Sequence, residues 1–259
     1  MKVKTFNSII LVMLVLIGCQ SCLQKKVKGN GTVTENIVPI ADYTSIEIDG
    51  EATLFYEQKD TIPYLRIEVD ENIFPLLSIE VNSDGRLKIE NTESHKLRPT
   101  VFNIYTNSRG ISSMEFNGSS KTTLKGKVTT SSLKVEIAGS GTLTADSLIC
   151  DVLEVEIAGS GNINLTGKAT RVSFDVSGSG KVEALNFIAN NVSCDVAGSG
   201  KIAVTALEVL DIDIAGSGNV QYKGSPTINQ SITGSGKITK LDTDDTNITI
   251  GVGSRQINK

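Results

Sequence analysis

The sequence predicts an all-β solenoid, a stack of coils about 18–21 residues long with less regular coils toward the N-terminus. Three observations carry this. The tripeptide Gly-Ser-Gly recurs at 139–141, 159–161, 178–180, 198–200, 216–218 and 234–236. The steps of 20, 19, 20, 18 and 18 residues are the period of a repeat architecture, one supersecondary unit per copy. Apolar and polar residues alternate around every copy, the period-two pattern of a strand, and no later stretch sustains helical spacing.

The chain begins with Lys2 and Lys4, followed by an uncharged run from Phe6 to Gly18 whose apolar centre is Ile9 to Ile17. A membrane-spanning helix needs about 20 apolar residues, so this run reads as a secretory leader over 1–18 rather than an anchor. Leu16-Ile17-Gly18-Cys19 resembles the lipobox of bacterial lipoproteins, which makes Cys19 the expected lipidation site and 19–30 a tether. Cys22 lacks a Leu three residues before it and is the weaker candidate. The expected membrane partner is therefore reached through a lipid.

Residues 31–113 are expected to form irregular β coils, and 114–259 the regular β-helix. Ile46-Glu47-Ile48-Asp49-Gly50 and Met114-Glu115-Phe116-Asn117-Gly118 align with Val135-Glu136-Ile137-Ala138-Gly139. The stretch from Ile79 to Leu87 aligns in the same way and reads as a further decayed coil. Degenerate, charged outer copies suit the capping that solenoid ends require. A separate N-terminal β domain is the alternative reading.

In the regular part, Val135, Ile137, Gly139, Gly141 and Leu143 share inward parity, and the sets from later coils match them. Both glycines of each motif are expected to face inward at a tight corner, where Gly tolerates positive φ without steric cost. The intervening Ser residues then form an exposed column. Ile137, Ile157, Val176, Val196, Ile214 and Ile232 should stack into the inner column that stabilises the fold, at about 1.5–3 kcal/mol per fully buried side chain.

Removing the leader leaves 23 basic against 29 acidic side chains, a net charge of −6, and no basic footprint for nucleic acid. Cys150 and Cys194 lie 44 residues, or two coils, apart. At ~4.8 Å per coil they are expected to be free, buried thiols. The single histidine, His95, sits among charged residues and reads as part of a surface loop. One His and two scattered thiols build no catalytic triad and no zinc site, and no cofactor is expected. Gly-Ser-Gly lacks the third glycine of a dinucleotide fingerprint and the Asp of calcium-binding nonapeptides.

One outward column stands out. Glu136, Glu156, Asp175, Asp195 and Asp213 each stand three residues before a motif glycine, so the carboxylates should stack at coil spacing. Like charges on neighbouring strands are destabilising. The stripe is thus either a candidate site for a cation or cationic ligand, or a solvated face that blocks edge-to-edge aggregation. Aromatic residues, which could hold a glycan, concentrate in the N-terminal half at Tyr43, Phe55, Tyr56, Tyr64, Phe74, Phe102 and Tyr105.

The repeated Ile/Val-Ala-Gly-Ser-Gly-x-Ile/Leu pattern, behind a lipoprotein leader and an Ile-x-Ile-x-Gly-x-x-x-Leu entry segment, resembles the Bacteroidetes family described as putative auto-transporter adhesins with a head GIN domain. The resemblance covers roughly Tyr43 to Ile238. It implies a right-handed parallel β-helix exported from the cytoplasm, in the cell envelope as an outer-membrane lipoprotein facing either the periplasm or the surface. It supplies no catalytic residues. The expected function is a non-enzymatic adhesin or binding module for a glycan or protein ligand. A carbohydrate-active β-helix enzyme, lyase or hydrolase, is the alternative.

Overall fold

In the computed structural model, which describes residues 25–92 and 95–241, the chain runs through eighteen strands and one short 3-10 turn, Phe74–Leu76. The N-terminal strands are β1 (Lys25–Lys28), β2 (Val33–Val38), β3 (Ser45–Gly50), β4 (Thr53–Gln58), β5 (Leu65–Asp70), β6 (Leu77–Val81), β7 (Arg86–Asn91), β8 (His95–Arg98), β9 (Phe102–Ser108) and β10 (Ser113–Gly118). The regular coils are β11 (Lys121–Gly139), β12 (Thr142–Gly159), β13 (Asn162–Gly178), β14 (Lys181–Gly198) and β15 (Lys201–Gly216). A last coil is divided into β16 (Asn219–Lys223), β17 (Thr227–Gly234) and β18 (Lys237–Lys240).

From β10 onward each coil pairs in parallel with the next, which makes the molecule a parallel β-solenoid. The register slips between Leu124 and Lys127, Ala145 and Leu148, Asn164 and Thr166, and Ala184 and Ile188. Those slips and the Gly-Ser-Gly corners divide each coil into three walls. Wall A precedes the corner, wall B follows it, and wall C lies beyond the slip.

The inner column forms as expected and extends further. Ile89, Ile48, Phe116, Ile137, Ile157, Val176, Val196, Ile214 and Ile232 are successive partners across neighbouring strands. All are buried except Ile232 on the last coil. One hydrophobic cluster runs without interruption from Tyr43 to Val220. Cys150 and Cys194 are free and buried within it, as expected. Burial pushes the Cys150 thiol up to about 11 and that of Cys194 higher still, so both stay protonated and inert.

The two corner glycines do different jobs, and only one faces inward. An added Cβ at Gly161 would meet Ile137 Cγ2 and Ile157 Cγ2 at 3.0 Å, within the core. At Gly159 it would meet the carbonyl oxygen of Gly139, one coil below, and φ there is +129°. The first glycine therefore permits backbone-on-backbone stacking along the solenoid axis, in a conformation side chains rarely adopt. The corner stays fully hydrogen-bonded: Ser160 N–H donates to Gly139 O and Asn162 N–H to Gly141 O, both at 2.8 Å. The six motif Ser residues are exposed.

The N-terminal part departs from simple coil-after-coil stacking. β3 lies between β7 and β10, and β4 between β9 and β11. The Ile46 and Met114 copies stack in the expected register, Ile46 on Met114 and Met114 on Val135. The Ile79–Leu87 copy does not form a coil. It folds into an antiparallel hairpin of β6 and β7, reversed at Asn82–Gly85, where the Asn82 side chain accepts the N–H groups of Asp84 and Arg86. Leu87 and Ile89, rather than Ile79 and Val81, then stack on Ile46 and Ile48. The antiparallel strands β2 and β5 close the other wall at this end.

Asp70 ties the first described residues to that end. Its carboxylate is fully buried and accepts N–H bonds from Gly31 at 2.8 Å and Thr100 at 2.6 Å. Burial alone would raise its pKa, but the backbone donors of Thr100, Gly31 and Val101 outweigh that and hold it below the usual range.

Candidate binding surfaces

Cys19, the expected lipidation site, lies outside the described residues. The acidic column is present on wall A. Glu136, Glu156, Asp175, Asp195 and Asp213 are direct partners on successive strands. It also runs on through Glu115 to Glu47, so seven carboxylates share one line, ending at Ser231 on the last coil. Both extra members were visible in the aligned Ile46-Glu47-Ile48 and Met114-Glu115-Phe116 copies.

The column has two electrostatic halves. In the lower half Arg86 binds Glu47 at 2.8 Å and Glu115 at 3.0 Å, and Lys88 lies 3.6 Å from Glu47. Lys134 bridges Glu136 at 2.5 Å and Glu156 at 3.0 Å. These cations reach the column from neighbouring outward positions and offset its like-charge repulsion. The upper half, Asp175, Asp195 and Asp213, has no ion pair among the described residues. Burial, then the neighbouring Asp175, Asp213 and Asp211, raise the pKa of Asp195, partly offset by the Ser193 hydroxyl at 3.3 Å. Among the described residues, no group of three or more His, Cys, Asp or Glu side chains is arranged to hold a metal ion.

The aromatic residues are largely committed elsewhere. Tyr43 and Tyr56 are buried, and their hydroxyls bond Thr106 at 2.8 Å and Ser108 at 2.9 Å. Phe55 and Tyr105 stack on each other at 4.9 Å between centroids, with Arg66 over Tyr105 and Lys125 over Phe55. Both ring faces of that pair are thus covered, which leaves no platform for a sugar there. His95 is not in a loop. It begins β8, is half-buried, and lines a 280 Å³ hollow together with Asp49, Glu51 and Asn91.

Comparison with known proteins decides the family. The family model described as "Putative auto-transporter adhesin, head GIN domain" matches residues 42–226. The chain belongs to this family. Among solved structures, it is similar to a protein from Parabacteroides distasonis described as a putative lipid binding protein, at 34% identity and a TM-score of 0.70. That match covers 84% of this chain and 100% of the other. A putative adhesin from Bacteroides fragilis is 28% identical with a TM-score of 0.78, over 83% of this chain and 100% of its own. One from Parabacteroides merdae is 26% identical with a TM-score of 0.66, over 84% and 100%. No curated protein matches the chain. The head GIN relatives thus share the solenoid over most of its length.

Proposed function

We propose that this protein is a non-enzymatic lipoprotein of the cell envelope, anchored through Cys19, whose solenoid presents repeated flat faces to a glycan or protein ligand. The observation that carries this reading is the coil-to-coil repetition of outward residues on wall A, where the same position recurs on seven strands in direct register. Such a ladder offers a ligand many equivalent contacts at ~4.8 Å spacing. The un-neutralised segment Asp175, Asp195 and Asp213 favours a ligand with cationic groups. The regular coils β11 to β15 are separated only by two residues at each corner, too short for the loops that wall an enzymatic cleft. Membership in the head GIN family supports adhesion or binding as the role.

Two measurements test the proposal. Cys19→Ala should release the protein from the membrane fraction or leave an uncleaved precursor, and unchanged partitioning would overturn the anchor. A glycan-array and pull-down screen should show retention without product release. Turnover of any polysaccharide would overturn the non-enzymatic reading.

A further inference from the structure

Wall C carries a groove unlike the other outward surfaces. Ile188 and Leu207 are 46% and 51% exposed, and with Ile149 they surround a floor formed by Gly167 and Ala169. The hollow measures about 390 Å³, within the size range of small-ligand sites. At Gly167 the floor is backbone alone, because a Cβ there would run into the backbone of its strand partner Leu148 on the coil below, at a φ of +138°. The outward positions of walls A and B are mostly polar or charged, so the aliphatic Ile149, Ile188 and Leu207 on β12, β14 and β15, with Lys168 of β13 between the first two, are an exception.

Lys168 is the only charged side chain that lines the groove. Its register partners are Ile149 on one side and Ile188 on the other. It makes no ion pair or hydrogen bond with any described residue. The nearby carboxylate Glu208 is engaged by Asn190 Nδ2 at 2.6 Å. A lysine stem can cover apolar surface while its ammonium stays in water, but that alone leaves two large aliphatic side chains about half exposed beside it. An apolar trough with one unpartnered cation complements a molecule with an aliphatic chain and a single anionic head.

We propose that this wall C groove binds a long-chain carboxylate, its chain against Ile149, Ile188 and Leu207 and its head at Lys168 Nζ. Binding needs neither lipidation at Cys19 nor the acidic column of wall A, so it stands or falls apart from the function proposed above. A hollow on wall A lined by Asp195, Asp211 and Asp213 would repel the same ligand, which makes the groove selective by charge as well as by shape.

The test is photolabelling of the full-length protein in phosphatidylcholine vesicles with a diazirine-bearing sixteen-carbon carboxylate, the labelled peptides being mapped by mass spectrometry. Label should concentrate on peptides containing Ile149, Ile188 and Leu207. Lys168→Gln should lower labelling about three- to fivefold, the size of one exposed ion pair. Ile188→Ser should lower it about tenfold, the effect of losing roughly two buried methylenes. Both sites are exposed, and an unchanged circular dichroism melt shows that each variant is folded. Equal labelling by the alcohol of the same length would overturn the role of Lys168. Equal labelling by a diazirine-phosphatidylcholine would overturn the carboxylate site in favour of wall C lying on the bilayer, and label spread evenly over the three walls would overturn any site there.

Discussion

Replacing Gly178 with Ala should cost far more stability than replacing Gly180 with Ala, although the two lie in one motif. At Gly178 the new Cβ would sit 2.4 Å from the Gly159 carbonyl oxygen and 3.2 Å from its carbon, at a φ of +126°. Those neighbours are backbone, held in the ladder by the Ser179 N–H bond to Gly159 O at 2.8 Å. A residue forced into sparsely populated φ/ψ space costs about 1–3 kcal/mol, and overpacking adds about 1–3 kcal/mol. The expected loss at Gly178 is therefore about 2–6 kcal/mol. At Gly180 the Cβ would meet Ile157 Cγ2 at 2.8 Å and Val176 Cγ1 at 3.1 Å, and φ is not positive. These are buried methyls, with the Gly161 carbonyl oxygen next at 3.3 Å, and without the positive φ only the overpacking cost of about 1–3 kcal/mol applies. Equilibrium urea unfolding followed by circular dichroism compares the two. With slopes of about 1–3 kcal/mol per molar, the Gly178 variant should unfold at a midpoint lower by roughly 1 M. Equal midpoints, or a larger loss at Gly180, would refute the assignment of the first glycine to axial backbone contact.

Asp70→Asn should lower the thermal midpoint at pH 7. The depressed native pKa of Asp70 means that its stabilisation is fully present above the unfolded carboxylate pKa and is lost as pH falls through the native value. Parent and variant melts should therefore converge in strong acid, and a constant gap from pH 7 to pH 2 would contradict the linkage. Asp195 has the opposite sign: its raised native pKa removes stability as pH climbs from the unfolded value through the native one. Asp195→Asn should accordingly raise the melting temperature at neutral pH, more in 10 mM than in 500 mM salt, and a salt-independent loss would contradict this. Arg86→Gln leaves Glu115 without a cation and Glu47 with only the longer Lys88 contact at 3.6 Å, so its melting temperature should fall at low salt and recover partly at high salt. A melt unaffected by salt would mean that Arg86 does not neutralise the column.

The regular coils were legible because each restates one pattern: two inward aliphatics, an acid between them, and a glycine pair. Position-for-position alignment of Val135–Leu143 with later copies is the register the backbone adopts. The hairpin of β6 and β7 escaped that reasoning for a physical reason. A coil corner and a chain reversal both need a glycine at positive φ, and Gly85 at +72° stands among alternating apolar residues as Gly139 at +131° does. What separates them is the Asn82 side chain, which caps a reversal by accepting two N–H groups. The acidic column was legible, whereas its neutralisation was only half so. Lys134 lies two residues before Glu136 on the same strand and could have been paired by parity. Arg86 reaches Glu47 and Glu115 only because the hairpin carries it beside β3. The wall C groove left no sequence signal, since it depends on where the register slips between coils.

The placement of β3 between β7 and β10 has a consequence for how the chain acquires its shape as it is made. Synthesis proceeds from the N-terminus, and β3 emerges before either of the strands that flank it. Its partner Met114 lies 68 residues away from Ile46, so the earliest segment must wait for a distant one, an ordering that slows folding. Every coil after β11 meets the opposite situation, because its template has already formed about 20 residues behind it. The N-terminal part thus acts as a slow-forming seed, and the coils beyond it can add by a zipper-like advance along the axis.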